Sequence, residues 1–412
     1  MHWRARFKRW LDRWLARRAR DGEPQRSDPS RPLEAQAASR SSAVWTPAPP
    51  EAELQPPASD AMGPTVGPPT PTARRRSHRK PEVRSLRLAL QGGGAHGAFT
   101  WGVLDRLLDE DDLVFPSISG ASAGALNGAM LVCGYAEDGR AGAQKALARF
   151  WDGVAGIGAL IAPLQTRQKG PATDFGLPHA EMMKTMMRMW SPAQFNPFNL
   201  NPLRTLLEDL IDIEALRNSR SMRLYVAATN VETGEPRIFS GSDFSIDALM
   251  ASACLPFLHH AVTIDGVAYW DGGYSANPPL APLIGDEALD PDSREILLVQ
   301  INPERRRGTA STASDIMHRV NEITFNASLL AELRAIEAMQ RRATNGAGSE
   351  IWNPLRLHRI ALHDEVADAT AASAASLDGA FHRELRDHGR RAAERWIASV
   401  QRKTDSENDA AH

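Results

Sequence analysis

The stretch LRLALQGGGAHGAFTWGVLDRLL (residues 86–108) decides the fold, because its pattern changes twice within a short distance. Leu86–Leu90 has the composition of a buried strand, and Ala98–Leu108 carries apolar residues at helical spacing. The turn between them contains Gly92, Gly93 and Gly94, and successive glycines let backbone N–H groups converge beside the N-terminus of the helix. The stretch therefore predicts an α/β fold with a site for an anion, either a phosphate or the oxyanion of an acyl transfer.

A second strand-to-helix turn follows at Gly120-Ala121-Ser122-Ala123-Gly124. A short strand around Phe115–Ile118 leads into this turn, and a helix of small residues leaves it. A G-x-S-x-G sequence in this setting is typical of the sharp turn that lifts a serine hydroxyl above the sheet. Gly120 and Gly124 keep the turn free of bulk, so the pattern predicts that Ser122 is a nucleophile rather than an ordinary turn serine.

A serine nucleophile needs a base, and the stretch IDGVAYWDGG (residues 264–273) offers one. Asp265-Gly266 is typical of a hairpin turn between two short alternating strands. The second strand ends at Asp271, and Gly272 and Gly273 would let this carboxylate approach another backbone closely. Asp-Gly-Gly alone is more often only a turn, so its weight comes from the two preceding motifs.

These three motifs, in this order, resemble the patatin-like phospholipase family, and the resemblance spans roughly Leu86 to Leu280. It implies that Ser122 is the nucleophile and Asp271 the base of a dyad. It also implies an oxyanion hole built from the triple glycine and the elbow, namely Gly92, Gly93, Gly94 and Ala123. The expected activity is that of a lipid acyl hydrolase, a phospholipase A or lysophospholipase-like esterase, which acts through a covalent acyl-enzyme without a metal or other cofactor.

One position departs from the family pattern. His96, followed by Gly97, stands where the family usually has Arg or Lys. If that cation holds the oxyanion loop, His96 could do so only when protonated or as a neutral donor. A contrasting hypothesis is therefore a lipid-binding protein that keeps the fold but has impaired catalysis.

The glycine turn and the serine turn each allow a second interpretation. Gly92-x-Gly94-x-x-Gly97 also matches a dinucleotide fingerprint, but the next strand ends in Ser119–Ser122 and not in the acidic residue that would hold a ribose. An α/β-hydrolase triad would use Ser122, Asp271 and a later histidine. The candidates for that histidine are His358, His363, His382 and His388.

The coarse pattern along the chain predicts a three-layer α/β sandwich with a central, mostly parallel sheet. We expect a catalytic domain over residues 83–302, a mainly helical part over 303–402 that packs on the same domain, and a flexible tail over 403–412. Within the catalytic domain, residues 151–202 are a candidate lid, because strand–helix alternation lapses there and five methionines cluster between Met182 and Met189. A plain core helix explains this cluster equally well.

Residues 1–20 read as a basic amphipathic helix, with seven Arg and one Lys against a single Asp and a stripe of aromatic side chains. Such a helix suits an anionic membrane surface, although a helix docked on a protein or a transit peptide would show the same pattern. Residues 21–82 are rich in Pro, Ala, Ser and Thr, which predicts a disordered linker.

Composition limits the remaining function classes. The net charge of −2 argues against a protein that coats nucleic acid, and two distant cysteines suggest reduced thiols. The sequence contains neither an apolar run long enough to span a bilayer nor the apolar core of a signal peptide. We therefore expect a cytoplasmic enzyme that associates peripherally with membranes and acts on phospholipid or other acyl-ester lipids. The sequence does not predict an oligomeric state.

Overall fold

A computed structural model describes residues 84–166, 191–285, 295–306, 308–344, 355–362, 366 and 376–410. The amphipathic helix predicted at 1–20, the linker predicted at 21–82 and the methionine cluster of the candidate lid lie outside the described residues. None of the described helices is both long enough and apolar enough to cross a bilayer.

A mixed sheet of eight strands forms the centre of the fold, and a separate pair joins β1 to β3. The strands are β1 (Arg84–Ser85), β2 (Arg87–Leu90), β3 (Leu113–Val114), β4 (Ser117–Ala121), β5 (Arg223–Asn230), β6 (Pro236–Phe239), β7 (Val262–Ile264), β8 (Val267–Asp271), β9 (Glu295–Gln300) and β10 (Arg356–Ala361). Strands β10, β9, β2, β4 and β5 are parallel neighbours in that order. Strands β6 and β8 pair antiparallel with β5, and β7 pairs antiparallel with β8.

Helices pack on both faces of this sheet. They are α1 (Gly97–Leu107), α2 (Ala123–Thr166), α3 (Pro192–Phe195), α4 (Pro202–Leu210), α5 (Ile213–Asn218), α6 (Ile246–Ser252), α7 (Ala281–Ile284), α8 (Ala313–Thr344) and α9 (Gly379–Ala410). Asp138 and Gly139 have non-helical backbone angles and kink α2. Short 3₁₀ turns cover Gly94–His96, Gly241–Asp243 and Gly272–Tyr274.

The side chains of each strand alternate between two helical layers, as pleating requires. On one face, Ala89 and Leu298 pack in a buried cluster with Leu283 of α7 and Leu329 of α8. On the other face, α2 approaches the sheet at Gly128, beside the side chains of Leu90, Ile118 and Leu224. Strands β2 and β9 are buried on both faces, which explains their nearly continuous apolar sequences.

The predicted α/β sandwich with a central, mostly parallel sheet is confirmed. Two differences have simple physical reasons. Strands β1 and β3 have two residues each, too few for a visible alternation. The last helix, expected to end at Arg402, continues to Ala410 through residues predicted to form a flexible tail, because the extension of an existing helix needs no new nucleation.

Close contact between α1 and α9 gives a first prediction. A methyl group on Gly102 would overlap the Arg386 carbonyl group of α9, and one on Gly389 would overlap the Phe99 carbonyl oxygen. Gly102→Ala is therefore expected to lower the free energy of unfolding by about 3 kcal/mol, although alanine normally favours a helix. Chemical denaturation measures this change. Gly285→Ala is the control, since its nearest described atom is 3.4 Å away, and equal stability of both variants would contradict the prediction.

Candidate active site

The turn after β4 holds Ser122 in a strained backbone conformation, and the residue is almost completely buried. Ser122 has φ 51°, a left-handed value that non-glycine residues rarely adopt, and its residue surface is 7 % exposed. Its N–H donates to Ser252 Oγ at 3.0 Å, at the end of α6. A methyl group on Gly124 would overlap the Leu90 carbonyl oxygen, and one on Gly120 would lie 2.6 Å from the Ala125 nitrogen. The glycines on both sides of the serine are therefore required by close backbone packing.

Strand register brings Asp271 next to this turn. On β5, Ala227 pairs with Ala121 of β4, and the next residue, Ala228, pairs with Asp271 of β8. Both β5 residues also pair with β6, which occupies the opposite edge. Strands β4 and β8 must therefore meet end to end along the same edge of β5, which places the residue after Ala121 beside Asp271.

The carboxyl group of Asp271 is fully buried. Its Oδ1 accepts a hydrogen bond from the Gly273 N–H at 2.7 Å, while its Oδ2 has no hydrogen-bond partner among the described residues. Burial raises the pKa of Asp271 to about 7, against smaller lowering effects of the Ser122 hydroxyl and the Gly273 N–H. The hydroxyl thus faces the carboxyl without an ordinary hydrogen bond to Oδ2, and such contacts often tighten only when substrate binds.

The backbone around Asp271 is equally constrained. The Asp271 N–H donates to the Cys254 carbonyl at 2.8 Å, and its carbonyl accepts from Thr229 Oγ1 at 2.8 Å. A methyl group on Gly272 would overlap the Ala227 carbonyl oxygen, and Gly273 lies directly against the ring of Phe325. The carboxyl therefore has little freedom to move away from β5.

The triple-glycine turn lies against the serine. A Cβ on Gly92 would lie 2.7 Å from Ser122 Cβ, and Gly93 borders Ile301 and Asn302. The Gly92 N–H donates to Asn277 Oδ1 at 2.7 Å, so this amide is already used inside the protein. The motif predicted Gly92 as part of the oxyanion hole, and this hydrogen bond gives it a supporting position instead.

The remaining amides of the expected oxyanion hole are available. Among the described residues, no hydrogen bond engages the N–H of Gly93 or Gly94, and Gly94 is exposed with φ 61°. Ala123 is the first residue of α2, where a helix has no internal acceptor for the N–H. These three amides follow the ends of the neighbouring parallel strands β2 and β4, and unengaged N–H groups are the donors that hold negative charge on a substrate oxygen.

His96 and Gly97 follow the triple-glycine turn and lie close to α9 and to the serine turn, respectively. His96 is buried, 3 % exposed, and its ring centroid is 6.4 Å from that of Phe381 in α9. A Cβ on Gly97 would lie 2.7 Å from Ala123 Cβ, so α1 begins in direct contact with the elbow. Asn127 ties the two together, because its Nδ2 donates at 3.0 Å to the carbonyls of Gly97 and Ala123.

The sequence motifs did not predict the buried amides that hold the glycine turn. Gln91 Oε1 accepts from the N–H groups of Ile301 and Asn302 at 2.8 Å each, and its Nε2 donates to Asn326 Oδ1 at 2.8 Å. The Gly92 carbonyl accepts from Asn302 Nδ2 at 2.6 Å and from Asn277 Nδ2 at 3.2 Å. These side chains come from separate loops and helices, so no local sequence pattern marks them as one group.

The histidines that a triad would need lie in different surroundings. His382 is buried, stacks edge-on with Trp151 at 5.2 Å, and bonds the Ser376 carbonyl through Nε2. His358 is on β10, at the edge of the sheet beyond β9 and β2, where it contacts Glu295. His388 is half-buried on α9, and His363 lies outside the described residues. The groups that shift the Asp271 pKa do not include a histidine of the described part.

Comparison with known proteins matches part of this chain to one protein family. A family model described as patatin-like phospholipase matches residues 88–284. The chain is 25 % identical over 368 residues to a cGAMP-activated phospholipase of Escherichia coli (strain TW11681), covering 78 % of this chain and 90 % of that protein.

Two solved structures are more remote. VipD from Legionella pneumophila has a TM-score of 0.31 and 16 % identity, covering 74 % of this chain and 67 % of that one. ExoU–SpcU from the type III secretion system of Pseudomonas aeruginosa has a TM-score of 0.32 and 16 % identity, covering 78 % of this chain and 52 % of that one. The family match at residues 88–284 contains all three motifs and identifies this part of the chain as a patatin-like phospholipase domain.

Proposed function

We propose that this protein hydrolyses acyl esters of phospholipids or related lipids through a Ser122–Asp271 dyad and a covalent acyl-enzyme. The observation that carries the proposal is the strand register, which sets the serine turn of β4 and the aspartate of β8 against consecutive residues of β5. The family and the phospholipase relative support a lipid ester as the substrate class.

In the first half of the proposed reaction, Asp271 accepts the hydroxyl proton while Ser122 Oγ attacks the ester carbonyl carbon. The carbonyl oxygen becomes an oxyanion that faces the N–H groups of Gly93, Gly94 and Ala123. The C–O bond to the alcohol then breaks, and the leaving oxygen takes the proton from Asp271. In the second half, Asp271 removes a proton from water, the resulting hydroxide attacks the acyl group, and the acid leaves as Ser122 regains its proton.

Burial makes Asp271 a suitable base for this role. An aspartate with its usual pKa near 3.8 would hold a serine proton poorly, whereas a pKa of about 7 brings proton acceptance within reach at neutral pH. The strained backbone of Ser122 supports its role as the nucleophile, because such conformations are retained mainly where function requires a side chain in one direction.

Cytoplasmic location and membrane attachment through residues 1–20 stay predictions.

The proposal is tested by covalent labelling of the nucleophile. A fluorophosphonate ester should react once per chain, with Ser122 Oγ bonded to phosphorus and fluoride released, and intact mass measures the adduct. Labelling should stop hydrolysis of a chromogenic short-chain ester in proportion. Ser122→Ala is expected to remain unlabelled.

Ser119→Ala is the matched control for this experiment. Ser119 is fully buried on β4, the strand that leads into the Ser122 turn, and its hydroxyl has no hydrogen-bond partner among the described residues. Its loss should therefore leave both labelling and hydrolysis intact. Labelling of Ser122→Ala at the rate of the unchanged protein would reject the proposed nucleophile.

A further inference from the structure

Two exposed apolar loops lie beside the candidate active site, in positions that the proposed reaction does not use. Together they form what we name the rim patch, whose side chains are exposed by 45–65 %: Phe198, Leu200, Phe257 and Leu258. Large apolar side chains that cluster at the surface usually mark a binding surface, whereas scattered ones do not.

The two loops are attached to each other. His260 Nε2 is 2.9 Å from the Asn196 carbonyl oxygen, and Asn201 Nδ2 is 3.4 Å from His259 Nδ1. The second loop is folded into a compact turn, because the N–H of Leu258 donates to the Leu255 carbonyl at 3.0 Å. These hydrogen bonds join the two loops, so we treat the rim patch as one surface.

The second loop contacts Asp271 directly and follows the residue that contacts Ser122. It begins after Ser252, whose hydroxyl accepts the Ser122 N–H, and the Cys254 carbonyl accepts the Asp271 N–H. Phe257 follows Cys254 closely, with only Leu255 and Pro256 between them. Whatever binds the exposed side chains of this loop is therefore brought next to the reacting atoms.

We propose that the rim patch is the surface by which this enzyme docks on a lipid bilayer, so that an acyl ester can enter the site from the membrane. This inference rests on the proposed lipid hydrolysis. Ser122 is 7 % exposed, so an ester must leave the headgroup region to reach it, and a patch that enters the interface would shorten this path. The loop sequences FNPFNLN (195–201) and ACLPFLHHAVT (253–263) contain no Asp, Glu, Lys or Arg, so docking requires no desolvation of a permanent charge on them.

The test uses the full-length chain and vesicles of phosphatidylcholine alone, whose zwitterionic surface gives little attraction to the basic residues 1–20. The double variant Phe257→Ser/Leu258→Ser should lower vesicle binding in a sedimentation assay by roughly tenfold or more. The rate on vesicle lipid, divided by the rate on a short soluble ester, should fall by a similar factor. Because these side chains are exposed, the melting temperature should hardly change.

Two further variants make the result specific. Leu357→Ser removes a side chain that is 38 % exposed on β10, at the far edge of the sheet, and should bind vesicles normally. Val320→Ser removes a side chain that is 50 % exposed on α8, where Ile316 and Ile323 form an apolar stripe with it. Loss of vesicle binding only in Val320→Ser would overturn the proposal, as would unchanged binding of the double variant.

A second copy of the chain is the competing occupant. If the unchanged protein is a dimer that the double variant converts to a monomer, the rim patch is a protein interface and the proposal fails. Failure of the proposed reaction looks different, because a protein without hydrolase activity would leave even the short soluble ester intact while vesicle binding could still be measured.

Discussion

Asp271→Asn is expected to lower kcat on a soluble ester by roughly 10²- to 10⁴-fold while the chain remains folded, because the amide cannot accept the serine proton. The substitution keeps the size of the side chain and an Oδ1 that can still accept from Gly273. The rate of the unchanged protein should rise with pH and level off above the Asp271 pKa of about 7. Steady-state kinetics across pH measure both effects.

The same substitution should raise stability above neutral pH. Folding raises the pKa of Asp271 from 3.8 to about 7, so the folded state binds this proton more tightly than the unfolded state does. The buried carboxyl is therefore tolerated best below pH 4, and its cost grows as the pH rises to about 7. Linkage makes that cost about 4 kcal/mol at most. Asp271→Asn should melt at a higher temperature than the unchanged protein at pH 8, with the difference vanishing near pH 4.

A histidine variant separates the dyad from a triad. His382→Ala removes a buried ring whose contacts are Trp151 and the Ser376 carbonyl, so it should lower stability and leave kcat nearly unchanged. His358→Ala and His388→Ala should also keep kcat. A loss of activity in any one of these as large as that of Asp271→Asn would contradict the dyad, and a stable but fully active Asp271→Asn protein would reject the base.

The site shows which interactions a sequence can predict. The three glycine-containing turns are local features, because each joins a strand to a helix or to a 3₁₀ turn within a few residues. Their sequence patterns therefore predicted the fold. The meeting of β4 and β8 on β5 is not local. It depends on the antiparallel entry of β8 at Ala228, where β4 has already ended, and the sequence of Val267–Asp271 reads the same for any partner strand.

The asparagine side chains that hold the glycine turn could not be predicted from the sequence, for a related reason. Asn277 and Asn302 stand in loops where asparagine is common and carries no signal, and Asn326 is on a helix whose apolar stripe is its visible feature. Only the folded chain brings all three to the Gly92 turn. Gly92 was therefore assigned to the oxyanion hole from its motif, while its N–H is held by Asn277.

Asn277→Leu is the second variant from which we expect a large effect. Asn277 is fully buried, accepts the Gly92 N–H and donates to the carbonyls of Gly92 and Phe325. Leucine leaves these groups unpaired and frees the turn that carries Gly93 and Gly94. Since the loss of one oxyanion donor costs about 10²–10³ in related chemistry, we expect kcat to fall by about 10²-fold with little change in KM.

Graded variants separate positioning of the oxyanion amides from general destabilisation. Asn277→Asp keeps the acceptor for the Gly92 N–H and loses the two donated bonds, so its kcat should lie between those of Asn277→Leu and the unchanged protein. Asn302→Ala removes one bond to the Gly92 carbonyl, at 2.6 Å, and leaves the N–H bond in place, so it should lower kcat less than Asn277→Leu does. If kcat instead follows the melting temperature across the series, or if KM carries the whole effect, Asn277 supports the fold without positioning the amides. A fall in kcat that follows the number of lost bonds to Gly92 would mean that catalysis depends on a side chain that never touches the substrate, because the hydrogen bonds to Gly92 help to position the neighbouring N–H groups.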